Sequence, residues 1–204
     1  MVKAGVLVSG GGTNLQALIE AQRRGENPKG KIELVISSKK DAYALERARR
    51  AGIKTVTVHR PDFKAQADFE DAILSVLDEN GIEVIVLAGF MSILSRAFIE
   101  KYPDRIINVH PSLIPSFCGK GLYGLKVHQA ALDYGVKVTG ATVHLVSEIC
   151  DGGRILLQKA VEVLPGDTPE SLQRRVMEEA EWVLLPRALA QLCSQTDHLR
   201  HNKP

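Results

Sequence analysis

The chain has 204 residues, 45% of them hydrophobic and 25% charged, with a formal net charge of +2. That length suits one large domain, and the balance is that of a globular protein without the long basic run expected of a nucleic-acid binder. No apolar run reaches the roughly 20 residues that span a bilayer, so no membrane partner is expected.

The opening stretch, Met1 to Val8, lacks the charged region, long apolar core and cleavage site of a signal peptide. Cys118, Cys150 and Cys193 are odd in number and form no C-x-x-C pair, which argues against a disulfide framework or a zinc ribbon. A reducing cytoplasm is the expected compartment. Lys3 to Ser9 reads as a short apolar strand. Gly10-Gly11-Gly12-Thr13-Asn14 follows, then Leu15, Leu18, Ile19 and Gln22 at helical spacing up to Gly25. Ile32 to Ile36 is a second strand. Asp41 is the expected cap of a helix through Arg50, ended by Gly52. Lys54 to Val58 is a third strand, and Asp68 to Glu79 an amphipathic helix carrying Phe69, Ile73, Val76 and Leu77 on one face. Val84 to Ala88, the most apolar run, reads as a central parallel strand. Ser95 to Lys101 is a short helix, and Ile106 to Val109 a buried β-branched strand stopped by Pro111.

Ser116 to Gly124 has no periodicity and reads as a loop; Lys126 to Tyr134 is a helix. Lys137 to Val146 alternates like a half-buried strand, and Asp151-Gly152-Gly153 is a turn signal before a strand from Ile155 to Val163. Alternation and a short turn predict antiparallel pairing there. Thr168 is a natural cap, with Pro169 at the first helical position, for a long helix with a kink expected at Pro186. The apolar stripe runs to Leu192, and the polar stretch from Ser194 to Pro204 is expected to fray. The alternation of strands and helices predicts an α/β fold: a single doubly wound, mostly parallel sheet, an antiparallel C-terminal strand pair and a long C-terminal helix. Ligands of such sheets bind at the carboxyl ends of the strands.

Two features lie at those ends. The glycine turn before a helix offers backbone N–H groups to an anion, and Thr13 and Asn14 add donors. Leu15 occupies the position where a dinucleotide fingerprint needs glycine. No acidic residue ends the second strand, and no Gly-Lys-Ser/Thr occurs. A phosphate monoester therefore fits better than a nucleoside cofactor, unless the glycines form only a tight turn. Asn108 and His110, two apart on a strand, share a face. An amide N–H there can hold a developing oxyanion while an imidazole moves a proton; an isolated pair reads rather as a turn cap and a packing histidine, and it is the rest of the chain that favours the chemistry. Thr142 and His144 share a face of the next strand. Asp151 approaches His110 if that hairpin folds back; otherwise it is a turn residue. The remaining histidines show no metal spacing, so no metal is expected.

Together, Ser9 to Gln16, Leu87-Ala88-Gly89-Phe90-Met91, Asn108 to Pro115, Gly140 to His144 and Asp151-Gly152-Gly153 resemble the folate-dependent formyltransferases, and within them the phosphoribosylglycinamide formyltransferases. The Asn, His and Asp set is shared with methionyl-tRNA formyltransferase and formyltetrahydrofolate hydrolase; the glycine turn with Thr13-Asn14-Leu15-Gln16 favours the glycinamide ribonucleotide branch. The resemblance covers the chain to about Leu192. It implies a Rossmann-like formyltransferase domain over 1–193 and a polar tail over 194–204. Within the domain, a phosphate-binding part would occupy about 1–100 and a folate and catalytic part about 101–193. The implied reaction is formyl transfer from 10-formyltetrahydrofolate to the amine of glycinamide ribonucleotide, in de novo purine synthesis, by a monomer or homodimer.

By the same resemblance Asn108 would polarise the formyl oxygen, His110 would carry a proton or hold the intermediate, and Asp151 would orient His110 and relay a proton. Thr142 and His144 would support them. Gly12, Thr13 and Asn14 would bind the phosphate, with Glu181 near the ribose. Gln66, Met91, Ser92, Ile93, Leu94, Ser147, Glu148, Ile149 and Cys150 would meet the folate. The Ile114–Pro115 bond would be cis; the residues alone allow either isomer. Three departures stand out: Ser92 and Gln66 occupy positions where the family usually has Arg, and the segment from Arg175 to Pro186 is one residue longer. A hydrolase passing the formyl group to water, and a binding module without catalysis, are the rival readings.

Overall fold

The computed structural model describes residues 1–201. Seven strands form one sheet in the order β3-β2-β1-β4-β5-β6-β7. They are β1 (Val2–Val8), β2 (Gly30–Ser37), β3 (Lys54–Thr57), β4 (Val84–Leu87), β5 (Ile106–His110), β6 (Val138–Leu145) and β7 (Ile155–Glu162). The first five are parallel; β6 runs antiparallel to β5, and β7 to β6. The chain winds outward from β1 to β3, then returns to place β4 on the other side of β1. That reversal makes the topological switch point between β1 and β4.

Helices cover both faces, which is why the central strands are apolar on both sides. On one face lie α1 (Thr13–Arg23), α2 (Tyr43–Arg50), α6 (Pro169–Val176) and α7 (Trp182–His201), whose Leu15, Leu18, Ala44, Leu172, Leu185 and Leu189 join one buried cluster with the sheet. On the other, α3 (Gln66–Glu79) and α4 (Arg96–Ile99) contribute Phe69, Ile73, Leu77 and Phe98. The remaining helix, α5 (Leu125–Tyr134), precedes β6.

Several boundaries differ from expectation. Asp41 does not cap α2: the cap position is Ala42, with no side-chain bond. Thr168 caps α6 as expected, and Ser171 completes a reciprocal capping box. The β6–β7 pairing is antiparallel, yet its connection is a long excursion between Leu145 and Ile155 rather than a tight turn. Helix α7 holds Pro186 within it and reaches His201. A π-helical turn over Met177–Glu181, which the sequence did not announce, precedes it. A π turn holds one more residue per hydrogen-bonded ring than an α turn, which locally widens the helix between α6 and α7. The polar stretch from Ser194 is helical as far as His201, tied down by Asp197 to Lys29 and Arg200 to Glu83; residues 202–204 lie outside the described residues. The Ile114–Pro115 bond is cis.

Candidate active site

The carboxyl ends of β1, β4 and β5 open on one cleft of about 620 Å³, lined by Asn14, Met91, Asn108, His110, Asp151 and Glu181 among others. A slot of about 120 Å³ adjoins it. Leu87, Phe90, Leu94, Val146 and Ile149 supply its apolar wall, and Asn108, His144 and Asp151 its polar one. Among the described residues no group of three or more His, Cys, Asp or Glu is placed to hold a metal ion. None of the described helices is long and apolar enough to cross a membrane.

Backbone register builds the polar wall. Pairing of β5 with β6 sets Asn108 opposite His144 and His110 opposite Thr142. Asn108 Nδ2 consequently lies 3.2 Å from His144 Nε2. Asp151 arrives from the β6–β7 connection with a left-handed backbone, φ 55°. Its Oδ2 lies 3.5 Å from His110 Nδ1 and its Oδ1 3.6 Å from His144 Nε2, so one carboxylate stands between two imidazoles. The Gly119 N–H donates to Oδ2 at 2.9 Å. Burial pushes the Asp151 carboxyl up; contact with the His144 ring, the Gly119 bond and the charge on His110 outweigh it and hold the group at about 2. Asp151 is therefore ionised at neutral pH.

His110 is 4% exposed, and its Nε2 lies 2.9 Å from the Phe117 carbonyl, which can only accept. Nε2 therefore carries its hydrogen, and Nδ1 faces the carboxylate. Behind it, His128 on α5 is fully buried with no partner among the described residues for either ring nitrogen; burial, aided by the charge on His110, pushes it down to about 4. Thr142 is also fully buried. It donates to the Ser112 carbonyl at 2.7 Å and accepts from the Ile114 N–H at 3.1 Å and the Gln158 amide at 2.9 Å. These bonds brace the 112–114 segment rather than the Asp151 carboxylate.

The glycine turn sits at the other end of the cleft. Gly12 is the cap position of α1, with φ 73° and no side-chain cap bond, so the first N–H groups of the helix lack partners within it. A Cβ at Gly12 would meet Ala44 Cβ at 2.6 Å, whereas one at Gly10 or Gly11 would meet nothing within 4 Å. Glycine at 12 thus serves the packing of α2 as well as the turn, and the open approach is at Gly10 and Gly11. Thr13 turns its hydroxyl toward Met177 Sδ at 3.8 Å and lines a separate depression with Arg47 and Trp182. Asn14 faces the cleft. Its Nδ2 donates to Glu181 Oε2 at 2.7 Å, while its Oδ1 is buried without a partner among the described residues. Burial raises the Glu181 carboxyl, opposed by the Asn14 bond.

The remaining predicted residues divide between surfaces. Met91, Ser92, Ile93 and Cys150 line the main cleft; Ser92, Ile93, Leu94, Ser147, Ile149 and Cys150 line the slot. Gln66 lies outside both. Its amide donates to the Ile93 carbonyl at 2.8 Å and to Glu70 at 2.8 Å, clamping the segment that walls the slot. Glu148 shares that outer depression with Gln66 and pairs with Arg96 at 3.3 Å. The sequence reading missed Phe117, Gly119 and Lys120, which bring a carbonyl, an N–H and a cation to the site from an aperiodic loop.

A family model described as "Formyl transferase" matches residues 2–189. The chain is 44% identical over 200 residues to the trifunctional purine biosynthetic protein adenosine-3 of Homo sapiens, covering 98% of this chain and 19% of that protein. It thus spans about a fifth of that relative's length. It is 42% identical over 171 residues to the phosphoribosylglycinamide formyltransferase of Escherichia coli (strain K12), covering 84% of this chain and 78% of that one. Among solved structures, the phosphoribosylglycinamide formyltransferase from Brucella melitensis is 45% identical, with a TM-score of 0.86 over 94% of this chain and 95% of that chain. Glycinamide ribonucleotide transformylase 1 from Symbiobacterium toebii is 41% identical, with a TM-score of 0.89 over 96% of this chain and 89% of that chain.

Proposed function

Because the chain belongs to the formyl transferase family, we infer that it transfers a formyl group from 10-formyltetrahydrofolate to the amine of glycinamide ribonucleotide, a step of de novo purine biosynthesis. The family implies a folate-type formyl donor, and relatives named phosphoribosylglycinamide formyltransferase support the acceptor. The observation that carries the reading is the convergence of Asn108, His110 and Asp151 on a cleft that also reaches Asn14 beside the glycine turn. A formyl donor and a phosphorylated acceptor need those two ends within one cavity.

The slot fits the donor: its apolar wall of Phe90, Leu94, Val146 and Ile149 suits a flat heteroaromatic ring, and the 91–94 and 147–150 segments offer backbone groups to the ring edge. At the other end, the N–H groups of the glycine turn and the start of α1 favour a phosphate. Gly12, Thr13 and Asn14 contribute there chiefly through backbone. The unpartnered Asn14 Oδ1 and the buried Glu181 carboxyl suit ribose hydroxyls, whose O–H groups would satisfy them.

In the reaction the acceptor amine forms a new C–N bond to the formyl carbon, and negative charge gathers on the formyl oxygen. An Asn108 N–H donates to that oxygen. His110, with Nε2–H fixed on the Phe117 carbonyl, and Asp151 hold the proton lost by the amine. They deliver it to the folate nitrogen as the old C–N bond breaks. Thr142 braces the 112–114 segment behind His110.

A spectrophotometric assay with a 10-formyl folate analogue tests the reading. Deformylation that requires glycinamide ribonucleotide is the expected result. Equal deformylation without it would make the protein a hydrolase, and binding without turnover would make it a binding module.

A further inference from the structure

His144 has no assigned step in this scheme, yet its contacts constrain the residue that does the polarising. The ring is 2% exposed, and its Nδ1 lies 2.8 Å from the Leu145 carbonyl. A carbonyl only accepts, so Nδ1 carries a hydrogen. Nε2 has two neighbours: Asn108 Nδ2 at 3.2 Å and Asp151 Oδ1 at 3.6 Å. The second distance lies beyond hydrogen-bond reach, so the Nε2 bond belongs to Asn108.

An asparagine amide can stand in either of two senses, related by a half-turn. A neutral His144 ring, with its hydrogen on Nδ1, leaves a lone pair at Nε2 and accepts from an amide N–H. The opposite sense would set Asn108 Oδ1 against that lone pair. Only a second proton on His144 would make it favourable. Geometry decides between these senses. The amide nitrogen, not the oxygen, faces Nε2 at 3.2 Å, while Nδ1 is turned to the Leu145 carbonyl at 2.8 Å. That pairing is the one a ring with its hydrogen on Nδ1 and a lone pair at Nε2 accepts.

Resting on the transfer reaction above, we propose that His144 is a positioning residue: its neutral Nδ1–H ring fixes the sense of the Asn108 amide. One amide hydrogen is spent on Nε2, and the second is left as the donor for the formyl oxygen. The β5–β6 register makes this a property of the sheet, since Asn108 and His144 are cross-strand partners. The two histidines flanking Asp151 thus divide the work. His110 belongs to the proton path, whereas His144 acts through Asn108.

The test has two arms. Nitrogen-15 NMR of the intact unliganded chain should find a hydrogen on His144 Nδ1 and a lone-pair-type nitrogen at Nε2. A protonated Nε2 would overturn the proposal. In kinetics, His144→Phe should lower kcat by roughly 10–100-fold, less than full loss of the donor, with KM for both substrates held within about threefold. Adding His144→Phe to Asn108→Ala should cost nothing more, because the ring acts only through that amide. Equal losses in both backgrounds would place its action on Asp151 instead and refute the proposal. Absence of ribonucleotide-dependent transfer in the unmodified chain would remove the functional reading alone, leaving the NMR result to stand or fall by itself. The NMR arm also decides the matter should His144→Phe fail to fold.

Discussion

Replacing Asp151 by Asn removes one charge and almost no volume, which isolates the electrostatics of the site. The side chain keeps an oxygen to accept the Gly119 N–H, now 2.9 Å away, but loses its attraction to His110 at 3.5 Å. In the fold the carboxyl sits at about 2 instead of its ordinary 3.8, a difference corresponding to about 2–3 kcal/mol of stability at neutral pH. The side chain is only 10% exposed, so solvent screens this little. The sign follows from the direction of the shift. A carboxyl depressed on folding stabilises the fold above its unfolded value, and that contribution disappears as pH falls from 3.8 toward about 2. Denaturant unfolding of the two proteins should therefore show Asp151→Asn weaker by about 2–3 kcal/mol at pH 7, with the gap closing in acid. A gap of the same size at pH 7 and at pH 2, or no gap at pH 7, would refute the reasoning.

Other perturbations probe the remaining parts. Gly11→Glu should leave the fold intact, because a Cβ there meets nothing within 4 Å. It should weaken the ribonucleotide by about tenfold or more through like charge at a helix N-terminus, and spare the folate; calorimetry showing both ligands weakened equally would deny separate subsites. Gly12→Ala should destabilise by about 2–5 kcal/mol in urea titrations, from left-handed strain plus overpacking against Ala44, and an unchanged midpoint would contradict this. Lys120 lines the cleft and makes no ion pair among the described residues. Lys120→Ala should raise KM for the anionic ribonucleotide about 2–5-fold, less so in high salt, with kcat unchanged; a salt-independent effect would mean the lysine acts otherwise.

Legibility in the sequence followed the range of the interactions. Strand positions, the glycine turn and the shared face of Asn108 and His110 are local, so short apolar runs, φ-permissive residues and two-residue spacing revealed them. The arrival of Asp151 was conditional, because it depends on how the stretch from Val146 to Arg154 folds back over β5. Phe117 and Gly119 were invisible for a related reason: they act through backbone carbonyl and N–H groups, which every residue type carries. The Asn14–Glu181 contact spans 167 positions and hangs on a π turn that no periodicity announces. Asp41 misled because a good capping residue stood one position too early, while Ala42 took the cap through tertiary packing of α2 against the glycine turn, where the Ala44 N–H bonds the Gly10 carbonyl.

The most direct test of the account is to identify the reaction products. The unmodified chain would be incubated with 10-formyltetrahydrofolate and glycinamide ribonucleotide, and the mixture resolved by mass spectrometry. The account predicts ribonucleotide heavier by one formyl group, formed in step with tetrahydrofolate and lost in Asn108→Ala. Formate released into water, with the ribonucleotide unchanged, would contradict it.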